Sequence, residues 1–321
     1  MNKIRKLLVL IFALLISALP LCSCAGTSTE GISIVTTIFA PYDFAKAIGG
    51  ENVSVKMLLS PGADIHSYDP TPKDMLALKR CDIFICVGGT SDAWVEEIIK
   101  AVDNPDMKII KLIEHTEGLI CSDHSHEDES HSHEHEHEHE HDHDHGEFDE
   151  HVWTSPRNAA LACEAIADAL CTLDAENAET YRSNLSEYSS ALSALDDEIK
   201  SIVAGAARTE IVFGDRFPLI YFANAYGLTY HSAFPGCAGD TEPSAATIAE
   251  LISKVKINGI PAVFCLGLSQ GNIADTICAE TGAKKLVFHS CENVSKNDFR
   301  DGVTYLELMR HNAQALREAL S

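Results

Sequence analysis

The sequence predicts an α/β protein of two lobes, each built on a parallel sheet, joined by a long helix. Three observations predict it. Short β-branched runs alternate with helix-length segments from Ile32 to Ile113, the same alternation returns after Ile211, and the stretch between, Pro156 to Ala204, reads as helix throughout. Strands that alternate with helices of this length call for crossover connections and therefore parallel sheets.

The first lobe opens with Ile32-Ser-Ile-Val-Thr-Thr-Ile38, a buried-strand pattern, followed by a helix over Pro41–Ile48 that Gly49-Gly50 ends. Val53–Leu59 is a second strand before the turn Pro61-Gly62, and Thr71-Pro72 starts a helix that runs to Arg80. Asp82–Val87 is a third strand, Trp94–Val102 a helix, and Lys108–Ile113 a fourth strand. From Ala175 to Ala204, Tyr181, Leu185, Tyr188, Leu192 and Leu195 recur at three- and four-residue spacing with charges between, which predicts one long amphipathic helix. The second lobe continues through Ala262–Leu266 and Lys285–Phe288 to a terminal helix, Tyr305–Leu320.

The N-terminus bears on the compartment. Lys3, Arg5 and Lys6 precede an apolar run, Leu7–Leu19. At about 13 residues the run is short of the roughly 20 a membrane span needs, and suits a signal peptide. Leu21-Cys22-Ser23-Cys24 resembles the bacterial lipoprotein cleavage box, which implies cleavage before Cys24 and lipid attachment to its sulfur. The expected organisation is a leader over 1–23, an N-terminal lobe over 24–174, a linker helix over 175–204 and a C-terminal lobe over 205–321.

Charge and cysteines narrow the function further. The net charge is −24, without a basic patch to neutralise phosphates, which excludes nucleic acid. Residues 121–150 alone hold 13 Asp or Glu and no Lys or Arg. Of 11 cysteines, Cys81, Cys86, Cys163, Cys171, Cys265 and Cys278 lie in apolar contexts and read as small core residues, while Cys237 and Cys291 lie in loops.

Ten of the 16 histidines fall in one tract: His124, His126, His131, His133, His135, His137, His139, His141, His143 and His145. The tract, 121–147, has nothing apolar to bury, so it is expected to be a disordered loop. Its imidazoles suit zinc, copper or nickel, and its carboxylates concentrate cations, so it is a candidate secondary metal site. The match of His133, Glu134 and His137 to a zinc-protease pattern arises from the repeat, because that motif needs an apolar-backed helix. Outside the tract, His66 follows the second strand and His151 lies in Asp149-Glu-His-Val-Trp153, where α/β folds place ligands. Spacing alone leaves open that both are solvated loop residues.

The segment Pro61-Gly-Ala-Asp-Ile-His66-Ser-Tyr-Asp-Pro-Thr-Pro72 and the run Cys81-Asp-Ile-Phe-Ile-Cys-Val-Gly-Gly89 resemble the first lobe of zinc and manganese ABC-transporter solute-binding proteins. Asp149-Glu-His151-Val-Trp-Thr-Ser-Pro156 resembles that family's second histidine motif. Tyr226-Gly-Leu228, Glu242-Pro-Ser244, Ala279-Glu-Thr-Gly-Ala283 and Gly302-Val-Thr-Tyr305 follow in order. The resemblance covers essentially residues 31–321. It implies two Rossmann-like lobes joined by a long rigid helix, a metal held in the cleft, and delivery of that metal to a permease and its ATPase. It further implies a monomer anchored as a lipoprotein outside the bacterial cell membrane.

The family's four ligands carry over in part. The first two fall on His66 and His151. The third falls at Gly214, which has no ligand atom, so the neighbouring Asp215 is the expected substitute. The fourth, usually an aspartate, falls at His289. Three imidazoles and a carboxylate suit tetrahedral Zn2+, and Mn2+, which favours oxygen, is the less suited ion. Arg216 could pair with Asp215, in which case the position could fall to water, Glu242 or a thiolate of Cys237 or Cys291, a pair that could instead form a disulfide.

Two further readings compete. Gly267-Leu-Ser269-Gln-Gly271 matches the nucleophile-elbow pattern, but Asp298 and His311 are poor triad partners, since His311 lies in the terminal helix and too little chain follows Ser269. The expectation is no enzyme. The second competing reading is a metal buffer or chaperone acting through the His-rich loop.

Overall fold

The computed structural model describes residues 31–89, 92–121, 148–234 and 242–321, with the backbone but not the side chain of His66. The leader, Cys24, the histidine tract from His124 to His145, and Cys237 lie outside the described residues. Among those described, no helix is long and apolar enough to cross a membrane.

The first sheet holds β1 (Ile32–Thr36), β2 (Val53–Met57), β3 (Ile83–Cys86) and β4 (Lys108–Lys111), in the order β2-β1-β3-β4 and all parallel. Its helices are α1 (Phe39–Gly49), α2 (Pro72–Leu78) and α3 (Val95–Val102). Thr71 caps α2: its hydroxyl accepts the Asp74 N–H, the Asp74 carboxylate returns a bond to the Thr71 N–H, and Pro72 sits where no N–H is needed. In this sheet each strand proves two residues shorter than its predicted run. The excess, such as Leu58 and Leu59, is buried at the strand end without joining the ladder.

The second sheet repeats the arrangement. Strands β5 (Glu210–Phe213), β6 (Thr229–Ser232), β7 (Ala262–Leu266) and β8 (Lys284–Phe288) lie in the order β6-β5-β7-β8, again all parallel.

Between the sheets, the helical stretch is two helices rather than one. The first, α4, spans Pro156–Leu173, and the linker α5 spans Ala178–Ala204. Asp174 makes the break by accepting bonds from the backbone N–H and side-chain amide of Asn177 and from the Tyr181 hydroxyl. A short polar residue competes with the helix backbone in this way. The buried positions of α5 are Tyr181, Tyr188, Leu192, Leu195 and Ile199; Leu185 of the predicted stripe is only half-buried, and Ile199 is added at its end.

The remaining elements are α6 (Ile220–Tyr226), α7 (Ala245–Asn258), α8 (Asn272–Thr281), α9 (Lys296–Asp301) and α10 (Tyr305–Ala319). One face of each sheet shares a single continuous core, in which Phe44 of α1, Tyr188 of α5 and Phe264 and Phe288 of the second sheet belong to the same buried cluster. The opposite faces have separate cores, around Phe84 in the first lobe and Val263 in the second. Asp43, buried on α1, accepts bonds from the Tyr188 hydroxyl (3.0 Å) and the Tyr305 N–H (3.0 Å). It thereby joins the first lobe, the linker and the start of α10. A shared core is what makes the linker rigid, since close-packed interiors resist sliding.

Candidate metal centre

Residues at or just past the C-terminal ends of strands in both sheets line one cleft, where open parallel sheets hold ligands. The cleft contains a cavity of about 330 Å3 whose wall includes Asp64, His151, Asp215, Arg216, His289 and Glu292.

His66 lies in a 3-10 turn, Ile65–Ser67, past β2. The turn is held by the buried Ile65 and by the Tyr68 N–H bonding the Ile65 carbonyl at 3.0 Å.

His151 is 3% exposed. Asp149 grips it twice, accepting from the His151 backbone N–H at 2.9 Å and meeting Nδ1 at 3.1 Å. A carboxylate on Nδ1 fixes that nitrogen as the donor and leaves Nε2 for a metal, the outer-partner arrangement of many zinc sites. Burial opposes charge on His151, but Asp149, Glu292 and Glu150 outweigh it, so the pKa stands above the usual value. The tract's two described flanks, Cys121 and Phe148, meet in an antiparallel bridge just before this motif. The neck is also touched by the second lobe, whose Tyr221 hydroxyl donates to the Asp149 carbonyl at 2.8 Å.

His289 follows β8 directly. Asn312 on α10 clamps its backbone, accepting from the His289 N–H at 2.7 Å and donating to its carbonyl at 2.8 Å. A Cβ on Gly267 would stand 2.5 Å from His289 Nδ1, so glycine there makes room for the ring. Burial, then the nearby His311, push the His289 pKa down to about 4, which keeps the imidazole neutral and able to bind metal. The exposed His311 ring stands against it, with centroids 5.0 Å apart.

Gly214 is glycine for a packing reason. A Cβ there would lie 2.5 Å from the Cα and backbone nitrogen of Ala274, so α8 presses on this strand end and no larger residue fits. The expected substitute, Asp215, lines the cavity, but its Oδ1 accepts the Arg216 N–H at 3.0 Å and its Oδ2 the Leu266 N–H at 3.2 Å. Those bonds tie β5 to β7 and engage both carboxylate oxygens. Sequence reasoning passed over a second carboxylate, Glu292, which lines the same wall. Among the described residues, it makes no side-chain hydrogen bond. Burial raises its pKa to about 7, with His151 acting in the opposite direction. A clue was present: Glu292 is the acid in the loop that carries His289.

Glu242 is exposed and outside the cavity wall, which sets it apart from the ligands. Cys291 is a free thiol, 1% exposed, turned into the shared core at φ 58°, which corrects its placement on the cleft and does not support its pairing with Cys237. The Ser269 hydroxyl accepts the Gly271 N–H at 3.1 Å and shares no hydrogen bond with His311 or Asp298. Among the described residues, no three His, Cys, Asp or Glu side chains converge tightly enough to hold an ion as they stand.

Comparison with known proteins fits this geometry. The chain is 30% identical over 327 residues to the zinc-binding lipoprotein AdcA of Streptococcus pneumoniae, covering 99% of this chain and 61% of that one. The chain thus spans about three-fifths of that relative's length. It is 28% identical over 323 residues to the high-affinity zinc uptake system protein ZnuA of Bacillus subtilis, covering 97% of each. The Zn(II)-bound ZnuA-like domain of Streptococcus pneumoniae AdcA superimposes with a TM-score of 0.72 at 28% identity, over 90% of this chain and 99% of that domain. The family profile described as "ZnuA: Zinc-uptake complex component A periplasmic" matches residues 34–319, and the chain belongs to that family.

Proposed function

We propose that this chain captures Zn2+ in the cleft between its lobes and delivers it to a membrane permease driven by an ATPase. It acts as a monomer, held outside the cell membrane by a lipid on Cys24. The observation that carries this reading is the cavity wall that brings His151, His289 and Glu292 together from both lobes beside the His66 turn.

The ligand set is His66, His151 and His289 with one carboxylate. Glu292 is the better carboxylate, because Asp215 already bonds two backbone amides. A mostly nitrogen set favours zinc over manganese. Capture releases protons, since His151 and Glu292 must both be deprotonated to bind. Zinc would add positive charge beside the half-buried Glu292, and Asp149 holds the His151 ring in the tautomer that presents Nε2.

The organisation that suits this role is a leader over 1–23, lobes over 24–174 and 205–321, and the linker between. The histidine tract would serve as a weaker reservoir at the mouth of the His151 motif. No step in this function breaks or makes a covalent bond, so the protein is a carrier rather than an enzyme.

Zinc competition against a chelating indicator in the full chain tests the reading. His66→Ala and His151→Ala should each weaken the tight site by more than the roughly 10–100-fold that loss of an outer partner costs, leaving a residual affinity that competition can still read beside weak tract binding. Tight binding that survives both substitutions would place the principal site in the tract and make the protein a buffer.

A further inference from the structure

One short C-lobe segment, Ser290–Asn293, reaches three separate loops of the first lobe. The Trp153 Nε1–H donates to the Ser290 carbonyl at 2.8 Å, beside the His151 motif. The Phe39 N–H donates to the Glu292 carbonyl at 2.8 Å, just past β1. Asn293 makes the third connection, donating from Nδ2 to the Ser60 carbonyl at 2.9 Å and to the Ala63 carbonyl at 2.8 Å.

The Asn293 bonds are specific. A primary amide has two N–H donors and one acceptor oxygen. Asn293 engages both donors and its oxygen: both Nδ2 bonds go to the first lobe, and Oδ1 accepts the Val294 N–H at 2.8 Å. The residue is 7% exposed. Its partners are the two ends of one turn, since the Ala63 N–H also bonds the Ser60 carbonyl at 2.9 Å, with Gly62 at φ 80° between them. His66 stands three residues beyond Ala63. Asn293 itself follows Glu292 by one residue and His289 by four, so it stands between the ligands proposed for the two lobes.

We propose that Asn293 is a positioning residue for metal capture, fixing the turn that carries His66 against the segment that carries His289 and Glu292. The inference rests on the reading of the cleft as the metal site. The side chain touches no metal. It sets the separation of the two half-sites before the ion arrives, and so spares binding the ordering of a loose turn. Aspartate would lack both donors and set a carboxylate against two carbonyls, and alanine would leave the Ala63 carbonyl without this partner.

The test is a double-substitution cycle in the full chain, with Zn2+ affinity read by chelator competition and site geometry read by Co2+ absorption. Asn293→Ala should weaken the tight site about 10–100-fold, as loss of an outer partner does, and shift the Co2+ spectrum toward that of His66→Ala. In a His66→Ala background it should add less than about twofold, because interacting residues are not additive. Asn184→Ala serves as control: it removes a bond from the linker to the Ile48 carbonyl, far from the cleft, and should lower the apo melting temperature with affinity unchanged. If Asn293→Ala does not fold, Asn293→Ser, which keeps one donor, carries the same comparison with a smaller loss. Unchanged affinity in the single variant, or fully additive losses in the double, overturns the inference while the cleft reading stands. Tight binding unaffected by His66→Ala overturns both.

Discussion

The two lobes share a strand order, β2-β1-β3-β4 in one and β6-β5-β7-β8 in the other, but the turn before His66 and the strand end before His289 are packed differently. The first lobe is open at the turn before His66, where a Cβ added at Gly62 would meet nothing within 4 Å; at the His151 motif it is packed, with Gly89 against Glu150. The second lobe is close-packed at its edge. Gly214 lies against Ala274, Gly267 against the His289 ring, and His289 follows its strand directly with Asn312 clamping its backbone. Loops keep a ligand position through changes in packing, whereas a packed edge must move the ligand when a neighbour changes size. The two departures that the resemblance marks, Gly214 and His289, both lie at this packed edge.

Removing a carboxylate separates the two edges most sharply. Glu292→Gln should weaken zinc by more than the roughly 10–100-fold that loss of an outer partner costs, while Asp215→Asn should cost less in affinity. Isothermal calorimetry with a competing chelator measures both, and the reverse order would restore Asp215 as the ligand. In the first lobe, Asp149→Ala should weaken zinc about 10–100-fold, because the His151 ring loses its orienting partner. An affinity unchanged by this substitution would show that the loop alone orients the ring.

Acid acts on both lobes. The raised pKa values of His151 and Glu292 mean that protons compete with zinc, so affinity should fall as pH drops. With Glu292 at about 7, its protonation alone should weaken binding about tenfold between pH 8 and pH 6. His289, held at about 4, should contribute nothing in that window. A Glu292→Gln variant should lose most of the dependence attributable to this group, as a pH series of competition titrations would show.

Stability should divide the edges by packing. Gly214→Ala, forced against the backbone of α8, should cost about 1–3 kcal/mol in denaturant unfolding. Gly62→Ala has space but keeps a left-handed backbone, and should cost about 1 kcal/mol. Equal losses would mean that the second lobe's edge relaxes as readily as a loop.

Periodicity and turn chemistry made the first sheet, three strands of the second, the Thr71 helix start and most of the linker's buried stripe legible in the sequence, because those signals are local. The strand Thr229–Ser232 and the helices between β6 and α10 are not assigned by them. The sequence pattern starts the linker at Ala175, and the polar bonds of Asp174 move its first turn to Ala178. The resemblance carried the first-lobe histidines because loop motifs travel with their sequence. Contacts between residues far apart in the chain decided the rest. Ala274 bars a ligand at position 214, Gly267 opens the space that His289 fills, two backbone amides engage Asp215, and the fold turns Cys291 inward while setting Glu292 in the cavity wall. Sequence determines which residues can hold a metal through their chemistry. Which of them face it depends on volume and hydrogen bonds that exist only once the two lobes share a core.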